Sequence, residues 1–174
     1  MSRLWLTMGA MALWAAGPLA AGPAHEHGVA RLDVAVDAGR VSIELQTPLD
    51  NLLGFERAPR TDAEREKVAV ALARLRAAAT LFRIDANAGC TLAKVELVSA
   101  ALELGSAAPV VGEHAELSGR FDFRCSQGAR AGFVEVGLFE AFPALRRIEL
   151  QLSVPRGQMQ ATLRRPDSRV RLVR

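Results

Sequence analysis

After Gly28 the chain alternates strictly between apolar and polar positions. Leu32, Val34 and Val36 face one way, and Arg31, Asp33 and Asp37 the other. Asp37-Ala38-Gly39 supplies turn chemistry, and Val41, Ile43 and Leu45 then alternate with Ser42, Glu44 and Gln46. A period of two on both sides of a Gly-containing turn predicts a β-hairpin, which Pro48 ends. The period changes after Pro59. Thr61-Asp62-Ala63-Glu64 is a capping-box pattern, in which Thr61 and Glu64 satisfy each other's backbone donors. Behind it Val68, Leu72, Leu75, Ala79 and Phe82 recur at helical spacing, so one amphipathic, core-facing helix is expected.

From Cys90 the period returns to two, with Ala93, Val95 and Leu97 against Lys94 and Glu96. A loop rich in Gly, Ser and Pro runs from about Gly105 to Gly112. It leads into a strand whose face carries Ala115, Leu117, Gly119, Phe121, Phe123 and Cys125. Val134, Val136 and Leu138 predict another strand, followed by the Phe142-Pro143 bend. Ile148, Leu150, Leu152 and Val154 then pair across Pro155-Arg156-Gly157 with Met159, Ala161 and Leu163, and Val170 and Leu172 suit a last short strand. The fold class expected is α+β: an antiparallel sheet of about seven short strands, with one amphipathic helix packed on one face.

The first residues do not belong to that pattern. Arg3 precedes an apolar run from Leu4 to Ala16, and small residues and prolines follow up to Ala24. A short basic stretch, a short apolar core and a small-residue zone form a secretory signal. The run is too short for a membrane span, which needs about 20 apolar residues. Residues 1–24 are therefore expected to be a cleaved signal peptide, with cleavage after Ala24 or, in competition, after Ala21. Residues 25–174 are then a single soluble, exported domain with no transmembrane anchor.

Export changes the reading of the cysteines. In an oxidising compartment Cys90 and Cys125, the chain's 2 cysteines, are most simply a disulfide, and the inward face of Cys125 suits a structural staple. Composition narrows the functions further. The net charge is only +3, and one unit lower once Arg3 leaves. Arg31/Asp33, Lys94/Glu96 and Arg120/Asp122/Arg124 interleave the signs, whereas a nucleic-acid binder gathers one sign on one face. The exception, Arg164, Arg165, Arg169, Arg171 and Arg174, reads as protection of an exposed edge strand. There is no Tyr, and Trp5 and Trp14 leave with the signal, so aromatic platforms for single strands are missing.

No G-x-S-x-G elbow, Gly-rich phosphate loop or C-x-x-C is present, and the 3 histidines are His25, His27 and His114. No enzyme is expected. The remaining chemistry is metal ligation. His25-Glu26-His27 places two imidazoles and a carboxylate within three residues, and Glu113-His114 adds a second pair on another loop. Imidazole suits Zn(II), while a new amino terminus with a histidine in third place offers a square-planar set favouring Cu(II) or Ni(II). A terminus at His25 makes His27 third, and one at Pro23 makes His25 third.

The order of motifs resembles the ZrgA-like family of periplasmic, zinc-regulated, zinc-binding proteins. The motifs are H-x-H-G at residues 25–28, Asn51-Leu52-Leu53-Gly54-Phe55-Glu56, the two cysteines, and Phe142-Pro143 before the Ile148-to-Leu152 strand. The resemblance extends from His25 to about Leu172. It implies a periplasmic accessory to zinc acquisition, with His25, His27 and His114 as ligands, beside which the pattern itself places Glu113, and a metal-uptake system as partner. Relatives carry a histidine-rich stretch before the second cysteine, where this chain keeps only His114. They also commonly show His where this chain has Arg57, and a guanidinium has no lone pair for zinc. The competing reading is a periplasmic interaction or adaptor protein that has lost its metal site and works through its exposed polar sheet face.

Overall fold

The computed structural model describes residues 26–105 and 115–172. The hairpin forms as the alternation predicts, β1 (Val29–Val36) against β2 (Arg40–Pro48), with Leu32 opposite Leu45 and Val34 opposite Ile43. A short turn of helix, α1 (Asp50–Leu53), leads from β2 towards α2 (Asp62–Arg76). The capping box is present in full: Thr61 Oγ1 accepts from the Glu64 N–H, and the Glu64 carboxylate accepts from the Thr61 N–H.

Helix α2 buries Ala71, Leu72 and Leu75 but ends earlier than the spacing suggests. The chain breaks at Ala77, makes a second short helix, α3 (Ala78–Leu81), and enters β3 (Phe82–Ile84). Ala79 is therefore exposed, and Phe82 reaches the core from a strand rather than a helix. In β4 (Cys90–Val98) the ladder to β5 (Glu116–Cys125) skips between Leu92 and Lys94. This bulge turns Ala93 outward and leaves Leu92, Val95 and Leu97 facing the core. Leu138, expected in a strand, lies in α4 (Leu138–Ala141), after β6 (Phe133–Val136). The chain ends with β7 (Arg147–Val154), β8 (Gly157–Arg164) and β9 (Arg169–Arg171).

The α+β class holds, with nine strands in two sheets among the described residues. A six-stranded sheet has the order β4-β5-β2-β1-β7-β8, and a three-stranded one the order β3-β6-β9. Every pairing is antiparallel except β1 with β7, which is parallel, so the large sheet is mixed. Local alternation fixes antiparallel neighbours joined by tight turns, but not the direction of two strands more than a hundred residues apart. The core lies between the large sheet's inner face and a layer made by α2 and the small sheet. Phe82 of β3 meets Phe121 of β5 there, with ring centroids 4.9 Å apart.

Cys90 and Cys125 stand opposite each other in the β4–β5 ladder and are joined by a disulfide. The bond ties the edge strand β4 to the sheet where the Cys125 N–H meets the Gly39 carbonyl, at the hairpin-turn end. Arg169 sits on edge strand β9, pairing with Glu135 and lying over the Phe133 ring, in keeping with the edge role expected of the basic tail.

Candidate functional site

Three sequence motifs that lie far apart in the chain meet at the opposite end of that sheet. Asn51, in the first turn of α1, is buried beneath the start of β1. Its Oδ1 accepts from the Gly28 N–H at 2.6 Å, and its Nδ2 donates to the Val29 carbonyl at 2.8 Å and to Thr47 Oγ1 at 3.0 Å. One side chain thus ties the H-x-H-G segment to the end of the hairpin. The second clamp comes from the chain after Phe142-Pro143. The Arg146 and Arg147 N–H groups both donate to the Gly28 carbonyl, at 2.8 and 3.0 Å. Arg146 Nη2 reaches the His27 carbonyl at 2.9 Å, and Arg147 Nη2 pairs with Glu26 at 2.6 Å and Glu149 at 3.1 Å. Gly28 is left-handed at φ +82°, which lets the chain turn between these partners.

The clamps hold His27 at the mouth of α1. Its Nδ1 is 3.5 Å from Asp50 Oδ2, and its Nε2 is 3.3 Å from Glu56 Oε1. The imidazole is 56 % exposed, while the Glu56 side chain is only 13 % exposed. Gly54 makes this arrangement: at φ +80° it ends α1, its N–H returning to the Asp50 carbonyl, and the chain then doubles back through Phe55 to Glu56. Asp50 and Glu56 were not among the residues expected from the sequence to serve metal. The available signal was a pair of carboxylates flanking the Asn51-to-Phe55 motif.

Arg57, the residue in place of an expected histidine, turns towards α2. It holds the Glu64 carboxylate with both Nη atoms, at 3.0 and 2.7 Å, and stacks 5.1 Å above the Phe55 ring. Its hydrogen bonds, joined by those from the Arg60 and Thr61 N–H groups, pull the Glu64 carboxyl from its ordinary value of 4.5 to about 2. The same carboxylate raises the Arg57 guanidinium above its usual value. Arg57 is thus a bolt between the Phe55-Glu56 segment and the N-terminus of the helix.

Of the expected ligands, His27 lies in this cluster, whereas His25, Glu113 and His114 fall outside the described residues. The chain next to each of them reaches the same corner. Glu26, which follows His25, is pinned by Arg147. The carbonyl of Ala115, which follows His114, accepts from the Leu49 N–H at 2.9 Å, one residue before Asp50. Among the described residues no group of three or more His, Cys, Asp or Glu side chains is arranged to hold a metal ion. Also among them, no helix is long and apolar enough to cross a membrane.

The model of one family, described as ZrgA family zinc uptake protein, matches residues 24–172. No curated protein matches the chain.

Proposed function

Because the chain belongs to the ZrgA family of zinc uptake proteins, we propose that it is a periplasmic zinc-binding protein that serves uptake without catalysis. Residues 1–24 would be its export signal. In this reading zinc is cargo, taken by His27 Nε2 and the Glu56 carboxylate. The observation that carries the reading is their spacing. A tetrahedral zinc with bonds of about 2.0–2.1 Å separates its ligand atoms by about 3.3 Å, and His27 Nε2 lies 3.3 Å from Glu56 Oε1. Asp50 faces the other ring nitrogen, the place of the carboxylate that fixes tautomer and orientation in histidine-bound zinc sites. The remaining ligands would come from His25, His114 and Glu113, or from water. The disulfide supports an oxidising compartment.

Zinc titration by calorimetry tests this. Binding is expected in the wild type and is at least about tenfold weaker in His27→Ala and in Glu56→Gln. Asp50→Asn, which keeps the shape but alters the orienting partner, weakens it by about 10- to 100-fold. His25→Ala with His114→Ala separates those ligands from water. Absence of binding at micromolar zinc overturns the reading and leaves an adaptor working through its polar sheet face. Binding that survives Glu56→Gln, is lost in His27→Ala and favours Cu(II) moves the site to the amino terminus.

A further inference from the structure

The six-stranded sheet has two edges, and they are built differently. The β4 edge is interrupted by its bulge and carries Lys94 and Glu96, devices that discourage strand addition. The β8 edge has no bulge, and its charges stand only at its two ends, Arg156 and Arg164. Its register with β7 is continuous from Arg147–Arg164 to Val154–Gly157, and residues 157–163 contain no proline and no charge.

The two-residue turn at Pro155-Arg156 makes Val154 and Gly157 the hydrogen-bonded closing pair. Alternation along the ladder then spends the backbone groups of Met159, Ala161 and Leu163 on β7. It turns the N–H and C=O groups of Gln158, Gln160 and Thr162 outward. Among the described residues no backbone group meets these outward ones. The next outward carbonyl, that of Arg164, accepts from the Asp167 N–H at 2.7 Å, which closes the edge there. Two exposed cations, Arg156 and Arg164, flank the open stretch, and Met159 and Ala161 form a half-buried apolar ledge on its core side.

We propose that β8 receives an extended segment of a partner protein as an added strand. The segment would be apolar where it meets Met159 and Ala161, uncharged in its middle and acidic at both ends. A second copy of this chain fits less well, because antiparallel pairing centred on Gln160 puts Arg156 opposite Arg164 at both ends. The Arg164 end stands opposite Arg147, the residue that grips Glu26 beside His27, so a docked partner sits one strand from the candidate site.

The probe is a capped peptide, Asp-Val-Thr-Val-Thr-Val-Thr-Val-Asp, whose ends reach Arg156 and Arg164 while its valines face Met159 and Ala161, titrated into the purified protein and followed by calorimetry and amide hydrogen exchange. At saturation, exchange is expected to slow at Gln158, Gln160 and Thr162 and to stay unchanged in β4. Gln160→Pro removes an N–H that no ladder bond uses, so the fold tolerates it, and it abolishes binding. Arg156→Glu with Arg164→Glu weakens binding by about tenfold or more, and a Lys-ended peptide then binds that variant in preference to the wild type. Unchanged exchange along β8 overturns the proposal. So does a concentration-dependent dimer that Gln160→Pro dissolves, since it gives the edge to a second copy.

Discussion

The Gly28 N–H and Asn51 Oδ1, separated by 23 residues in sequence, share a buried 2.6 Å hydrogen bond that positions the only described histidine. Around it the amide of Asn51 is fully engaged, since its Nδ2 serves both the Val29 carbonyl and Thr47. A buried side chain that answers several backbone and side-chain groups cannot be replaced by an apolar one without orphaning them.

Asn51→Leu should therefore destabilise the protein by about 2–4 kcal/mol, because the Gly28 N–H and Val29 carbonyl lose a partner away from water. Urea unfolding measures this. A cost below about 0.5 kcal/mol would mean that the segment finds equivalent partners without Asn51.

Gly28→Ala tests the second clamp. A Cβ there would collide with Arg146 Nε, on a backbone already at φ +82°. The expected loss is about 1–3 kcal/mol, from strain and displacement of Arg146. Arg146→Ala removes the contact with the His27 carbonyl but not the glycine conformation, and should cost about 1 kcal/mol or less. Equal losses in the two variants would show that the backbone conformation contributes nothing.

The Arg57–Glu64 bolt predicts an acid dependence. Glu64 is held at about 2, below its ordinary 4.5, so between those values the unfolded chain binds the extra proton. Its contribution is complete above about pH 4.5, is lost as pH falls and is gone below about pH 2. The stability difference between wild type and Glu64→Gln should therefore shrink as pH falls through this window. Denaturant curves at several pH values would show it, and a difference that stays constant from pH 5 to 2 would contradict the pairing.

The disulfide spans a sequence separation of 35. Closing a loop of that size stabilises the folded state by about 4 kcal/mol in the chain-entropy account. Cys90→Ala with Cys125→Ala should lower stability by an amount of that order while leaving zinc affinity unchanged, since the bond ties β4 at the far end of β5. A parallel loss of zinc binding in a variant that remains folded would contradict this separation of roles.

Sequence alone determined the pieces whose cause is local. Period-two alternation marked the β1–β2 and β7–β8 hairpins, Thr61 and Glu64 marked the start of α2, and the inward face of β5 marked Cys125 as structural. These follow from contacts between residues a few positions apart, and the pattern carries that information directly. Its misses at Phe82, Ala93 and Leu138 came where a chain break, a bulge and a short helix interrupted a period that still looked regular. Only the tertiary structure decided that β1 runs parallel to β7. That pairing draws Arg146 and Arg147 onto Gly28, and with Asn51 it sets His27 between Asp50 and Glu56. Such a meeting depends on closing loops of many residues and on burying one amide among three partners, and no local periodicity records either.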